Sequence, residues 1–86
     1  MHIGQHIKKI MRQQGVTATR LAEGICCSRT HVHKIFRKEN IDIALLRRIS
    51  DALQHDFFLD LSQEYHDRVS NMDTVAHLDT IKPKRS

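Results

Sequence analysis

The sequence predicts an all-α fold of five helices followed by a C-terminal tail. Apolar residues recur at spacings of three and four through residues 3–61, the period of helices with one buried face. Several of these stretches begin directly after Thr, Ser or Asp, residue types that cap helix N-termini. No stretch alternates apolar and polar residues long enough to predict a strand.

The first helix is predicted over about Ile3–Gln14. Ile7, Ile10 and Met11 fall on one side of this helix, and lysine and arginine side chains occupy the other. Gly15 follows as a C-terminal stop, because glycine readily adopts the left-handed conformation that ends many helices.

The second helix is predicted to be short. Thr17 can cap its N-terminus, and Leu21, Ala22 and Ile25 then share one apolar face. Ala22 is small, as a close helix crossing requires, and Gly24 lowers helix propensity where the chain must turn.

The third helix follows that turn directly. Ser28 is its predicted cap, and Val32, Ile35 and Phe36 form its apolar stripe. The opposite face carries polar and basic residues, namely Arg29, Thr30, His33, Lys34 and Arg37. A helix face so rich in hydrogen-bond donors suits a polyanion.

Two further helices and a tail complete the predicted fold. Asp42 caps a fourth helix whose expected buried residues are Ile43, Leu46, Ile49 and Leu53. Asp56 begins a short fifth helix that carries Phe57, Phe58 and Leu61. We therefore assign residues 1–61 to one domain and residues 62–86 to a C-terminal extension.

The extension is expected to be an exposed helix or a partly disordered tail, because its apolar residues are sparse. They form a loose helical stripe of Tyr65, Val69, Met72 and Ala76, followed by the basic end Lys82–Ser86. An 86-residue chain can bury only about 60 to 65% of its unfolded surface, which limits it to one core.

Positive charge is concentrated in the first half of the chain. Residues 1–38 contain eight Lys/Arg against the single acid Glu23, a net charge of +7. Residues 39–86 contain six Lys/Arg against nine acids, a net charge of −3. The positive potential therefore lies in the half that holds the second and third helices, as phosphate binding requires.

Several classes of protein are excluded by composition. No apolar run approaches the roughly 20 residues of a membrane helix, no signal peptide is recognisable, and two adjacent cysteines cannot form a disulfide framework. We therefore expect a cytoplasmic protein without a membrane association.

No enzymatic or cofactor chemistry is predicted. The sequence lacks a glycine-rich phosphate loop and a nucleophile motif, so we expect neither catalytic residues nor a cofactor. The acids of the second half are expected to be helix surface or caps, namely Asp51, Asp56, Asp60, Glu64 and Asp67.

No metal site is predicted either. His31 and His33 lie two apart on a helix and point to different sides, which argues against a zinc site with Cys26 and Cys27. Cys27 is instead expected to be a core thiol. The i, i+4 pair His2 and His6, which has metal-ligand spacing, is expected to be ordinary surface.

Residues Ile3 to about Leu61 resemble the lambda-repressor/Cro-type helix-turn-helix domain, the XRE family. The resemblance is carried by Ile3, Gly4, Ile7, Ile10, Gly15, Val16, Thr17, Leu21, Ala22, Glu23, residues 28–32, Leu46, Ile49, Ala52 and Leu53. It implies a five-helix fold and sequence-specific binding of double-stranded DNA. It also implies a transcriptional regulator of bacterial or phage type, which usually acts as a dimer on a repeated operator.

Three positions depart from the family pattern. Ala18 stands where the family often has Gln, which supports the first base-contacting residue and touches a phosphate. Cys26 stands where the turn usually has Gly. Met11 and Phe36 replace a common Arg–Glu pair, and because both positions are apolar we predict that these two side chains pack together.

The docking geometry of such domains assigns roles to the polar residues. The recognition helix, about residues 29–36, is expected in the major groove, with its first turn against the base edges. The predicted base contacts are Arg29, Thr30, His33 and Lys34. The predicted phosphate contacts are Thr17, Ser28, Arg37, Lys38 and Asn40.

A different function stays open at this point. The alternative is that the fold serves as a protein-interaction module or an antitoxin-like partner, with residues 62–86 as its interface. In a DNA-binding protein the tail, with Leu45, Phe57 and Phe58 nearby, would instead form a homodimer.

Overall fold

The computed structural model describes residues 1–70, which form five α-helices and no strand. The helices are α1 (Ile3–Gln14), α2 (Ala18–Gly24), α3 (Arg29–Phe36), α4 (Ile43–Leu53) and α5 (Phe57–Ser70). The predicted all-α fold is confirmed. Met72, Ala76 and the basic end Lys82–Ser86 lie outside the described residues. In the part that the structure describes, no helix is both long enough and apolar enough to span a bilayer.

The predicted helix caps are confirmed. The side-chain oxygens of Thr17, Ser28 and Asp42 accept backbone N–H groups three residues further on, at 3.1, 3.1 and 2.6 Å. Gly15 ends α1 with φ 73°, in the left-handed region. The cap of α1 was not predicted, because it is His2, whose Nδ1 accepts the N–H of Gln5 at 3.1 Å.

One core joins the helices. It contains Ile3, Ile7, Ile10, Met11, Leu21, Ala22, Ile25, Val32, Ile35, Phe36, Leu46, Ile49, Leu53 and Phe57. The prediction that Ile43 is buried is wrong, because its side chain is 66% exposed. At 100° per residue, Ile43 lies about 90° around α4 from the centre of the stripe formed by Leu46, Ile49 and Leu53.

The prediction that the fifth helix is short is also wrong. α5 begins after Asp56, whose carboxylate accepts the N–H of Leu59 at 2.9 Å, and continues for 14 residues. No Gly or Pro interrupts residues 57–70, so nothing local stops the helix where its apolar residues thin out. Phe57 is fully buried, whereas Phe58 is 38% exposed.

α1 is linked by hydrogen bonds to the C-terminal ends of two other helices. The side-chain amide of Gln5 donates to the carbonyl of Phe36 at 3.0 Å, and that of Gln14 donates to the carbonyl of Leu53 at 2.9 Å. These bonds satisfy terminal carbonyl groups of α3 and α4 that have no partner within their own helices. α1 therefore fixes where α3 ends relative to the core.

Cys26 adopts a left-handed conformation in the turn between α2 and α3, with φ 57°. Because a side chain is strained there and glycine is not, we expect Cys26→Gly to raise the free energy of unfolding by up to about 1 kcal/mol. A thermal melt should show a rise in Tm that reaches about 4–8 °C for a gain of the full ~1 kcal/mol. A lower Tm for this variant would show that the Cys26 side chain stabilises the folded state by more than the backbone strain destabilises it.

Candidate DNA-binding surface

The turn between α2 and α3 is held by backbone and side-chain hydrogen bonds. The N–H of Cys27 donates to the carbonyl of Ala22 at 2.9 Å, and the Arg48 guanidinium of α4 donates to the carbonyl of Ile25. A Cβ built at Gly24 would lie 3.1 Å from the Cβ of Ala52, so α2 and α4 approach closely there. The turn that leads into α3 is thus held by contacts with α2 and α4.

The apolar and polar residues of α3 lie on opposite faces, as their spacing predicted. Val32 and Ile35 are fully buried and Phe36 is 7% exposed. The four predicted base contacts are all exposed on the other side, namely Arg29, Thr30, His33 and Lys34. We call these four residues the outer face of α3. Thr30, His33 and Lys34 follow Arg29 by one, four and five residues, so the four side chains form one patch over more than one helical turn.

His33 is held more closely than the other residues of the outer face. Its ring packs edge-on against Phe36, with centroids 5.6 Å apart, and it lines a shallow hollow together with Ala18. Met11 and Phe36 line the same hollow and belong to the same buried cluster, which supports the predicted packing of this pair.

The predicted phosphate contacts lie at helix ends next to the outer face. In their caps, Thr17 and Ser28 use the hydroxyl oxygen as an acceptor, which leaves the O–H free to donate to a phosphate. Arg37 is the C-cap of α3, and the side chains of Arg37, Lys38 and Asn40 are exposed in the following loop. The loop is anchored to α1, because Gly4 N–H donates to the carbonyl of Lys38 at 2.9 Å.

The basic side chains of this region carry charge that no acid neutralises by direct contact. Over residues 1–70 the ion pairs join the N-terminal ammonium to Glu64 and join His6 and His55 to Asp60. None of these pairs uses a lysine or an arginine. The outer face of α3 and the loop behind it therefore present a positive potential toward solvent.

A cluster of His6, His55 and Asp60 lies elsewhere, between α1 and α5. Nε2 of each histidine lies 2.6 Å from Oδ2 of Asp60. Burial raises the pKa of Asp60, but the hydrogen bonds from both histidines and their charges outweigh burial, so its pKa lies below the usual value. The expectation that His6 and Asp60 are plain surface is wrong, because their side chains are 19% and 20% exposed.

This cluster was missed because its members are far apart in the sequence. His6 and Asp60 are separated by 54 residues, and only the packing of α5 beside α1 brings them together. His55 and Asp60 are five residues apart, a spacing that matches no metal-binding motif. Cys27, by contrast, packs partly buried against the core, as expected.

The geometry agrees with the comparisons to known proteins. A family model described as helix-turn-helix matches residues 7–57, which are 51 of the 86 residues and include all of α2 and α3. No curated protein and no solved structure gives a significant match. The chain belongs to the helix-turn-helix family of XRE type, a family of DNA-binding regulatory domains.

Proposed function

We propose that this protein binds a specific sequence of double-stranded DNA and acts as a transcriptional regulator of bacterial or phage type, in the cytoplasm. The observation that carries the proposal is the outer face of α3, which is exposed, polar and free of acidic contacts while its other side anchors the core. Such a helix can enter the major groove without losing any internal packing.

Each polar group of the surface receives a role from its position. Arg29 stands at the first position of α3, where its guanidinium can donate two hydrogen bonds to O6 and N7 of a guanine. Thr30, His33 and Lys34 follow along the groove. Thr17, Ser28, Arg37, Lys38 and Asn40 lie at the margins and contact phosphates, which positions the domain without distinguishing sequence.

Selection of bound sequences from random duplexes tests this proposal. We expect one enriched motif, and an affinity for it that falls steeply with salt because each phosphate contact releases counterions. Arg68→Ala is the control for variants of the proposed surface such as Arg29→Ala. It should bind DNA as the wild type does, since Arg68 is an exposed arginine on α5 outside that surface. No enrichment and no duplex affinity would instead favour a protein-interaction module or an antitoxin-like partner that binds through residues 62–86.

We further propose that two copies pair through α5. Phe58 and Tyr65 are seven residues apart on one face of α5 and are 38% and 61% exposed, with the partly buried Val69 continuing that face. A homodimer would cover these apolar groups and place two copies of α3 on successive half-sites of an operator. Leu45 and Phe57 do not join this face, because both pack into the core.

Tyr65→Glu is expected to weaken the homodimer at least about tenfold, since a carboxylate would be buried at the centre of the contact. Sedimentation at several protein concentrations measures the effect. Gln63→Glu adds the same charge to an exposed position on another side of α5 and should leave association unchanged. If both variants remain as associated as the wild type, α5 is not the dimer surface.

A further inference from the structure

We propose that His6, His55 and Asp60 form a binding site for a divalent transition-metal ion of the zinc class. The site is separate from the proposed DNA-binding surface and does not depend on it. One ring nitrogen of each histidine and a carboxylate oxygen of Asp60 lie within 4.8 Å of one another. They come from α1, from the connection between α4 and α5, and from α5 itself.

The distances suit a small ion after a slight expansion. Each histidine Nε2 lies 2.6 Å from the same oxygen of Asp60. Zinc holds nitrogen and oxygen ligands at about 2.0–2.2 Å in a tetrahedron, which places ligand atoms about 3.3 Å apart. Each nitrogen–oxygen distance therefore needs to lengthen by less than about 1 Å to accommodate the ion.

The ligand types favour zinc and its neighbours over magnesium or calcium. Two imidazole nitrogens and one carboxylate are typical of zinc, cobalt and nickel sites, whereas the hard cations prefer oxygen ligands alone. The ion takes the place of the protons in the hydrogen bonds between the histidines and Asp60. Nε2 of both histidines must therefore be unprotonated, and protons are released on binding. Since the protein supplies three ligands, water would take the fourth position of a tetrahedral ion.

The two histidine rings are held in place by an apolar contact. Phe57 is fully buried, and its ring packs against His6 and His55 with centroids 5.7 and 4.6 Å away. The backbone N–H of His55 also donates to the carbonyl of Ser50 at 3.1 Å. The side chains of His6, His55 and Asp60 are 19%, 29% and 20% exposed, so an ion can reach them while most of the site is shielded.

Such an ion would link the start of α1 to α5 across 54 residues of sequence. α1 in turn anchors the loop after α3 through the bond from Gly4 N–H to the carbonyl of Lys38. The expected role of the ion is therefore structural, and its binding should appear as a gain in stability.

Titration of the metal-free protein with zinc chloride tests the site. Calorimetry should give one ion per chain, and a saturating concentration should raise Tm by about 5 °C or more. His55→Ala and Asp60→Asn should each lower zinc affinity at least about tenfold. Cobalt chloride should give the visible absorption of a four-coordinate nitrogen and oxygen site, without bands from sulfur ligands.

Two controls keep the outcome decisive. His66→Ala removes an exposed histidine of α5 outside the cluster, and a variant with Ser at Cys26 and Cys27 removes both thiols. Both should bind zinc as the wild type does. Asp60→Asn preserves shape, so it tests the site even if His55→Ala fails to fold. The proposal is overturned by the absence of binding, or by zinc affinity that is unchanged in Asp60→Asn. Loss of that unchanged binding with the thiols would then place the ion at the cysteines.

Discussion

Gly4→Ala is expected to lower the free energy of unfolding by about 3 kcal/mol, the upper end of the penalties for overpacking. A Cβ at this position would lie 2.6 Å from the carbonyl oxygen of Phe36 and 2.7 Å from its carbonyl carbon. Both are backbone atoms, which cannot rotate away as a flexible side chain can. α1 and α3 must therefore separate to admit one methyl group.

The separation would also break contacts that hold the proposed DNA-binding loop. Ile3 N–H and Gly4 N–H donate to the carbonyls of Glu39 and Lys38, at 3.0 and 2.9 Å. The variant should thus bind DNA more weakly than its loss of stability alone explains. Even the protein molecules that remain folded would have a displaced loop.

The other two glycines provide matched controls for Gly4→Ala. Gly24→Ala meets only the Cβ of Ala52, at 3.1 Å, and gains helix propensity, so we expect a change within about 1 kcal/mol. Gly15→Ala meets no atom within 4 Å but must adopt φ +73°, which costs about 1–2 kcal/mol. Urea unfolding of the three variants measures their free energies of unfolding and so ranks them. A loss for Gly4→Ala no larger than for Gly15→Ala would contradict the packing argument.

The parts of this fold that follow from neighbouring residues were predictable. Caps at Thr17, Ser28 and Asp42 act on N–H groups three residues away, so the sequence near each cap contains the whole interaction. The buried stripe of α3 is likewise a property of one short helix. The same reasoning located the outer face of α3, because the residues opposite a buried stripe must be exposed.

The parts that depend on distant residues were not predictable. The bonds from Gln5 and Gln14 to the ends of α3 and α4 span 31 and 39 residues, and nothing near either glutamine indicates them. The cluster at Asp60 arises in the same way. The length of α5 was underestimated because a loss of apolar residues along a helix reduces its burial but does not end it. The exposure of Ile43 could not be predicted because it depends on which residues pack beside α4.

Arg29→Ala is expected to weaken binding to the preferred DNA sequence by about 1–3 kcal/mol, a loss of roughly 5- to 150-fold, and to relax selectivity at one base pair. Arg29 is the first residue of α3 and is exposed on its outer face. Alanine is a better helix former than arginine, so the variant should fold with unchanged stability. The lost affinity can then be assigned to the missing guanidinium.

Lys38→Ala separates the proposed base contact of Arg29 from a proposed phosphate contact. Lys38 is exposed, and only its backbone carbonyl takes part in the bond to Gly4, so truncating the side chain leaves the loop in place. This variant should lose affinity equally for the preferred and for random duplexes and should reduce the salt slope by about 1. Equal losses on both duplexes for Arg29→Ala as well would mean that α3 contacts only the DNA backbone and that the bases are recognised elsewhere.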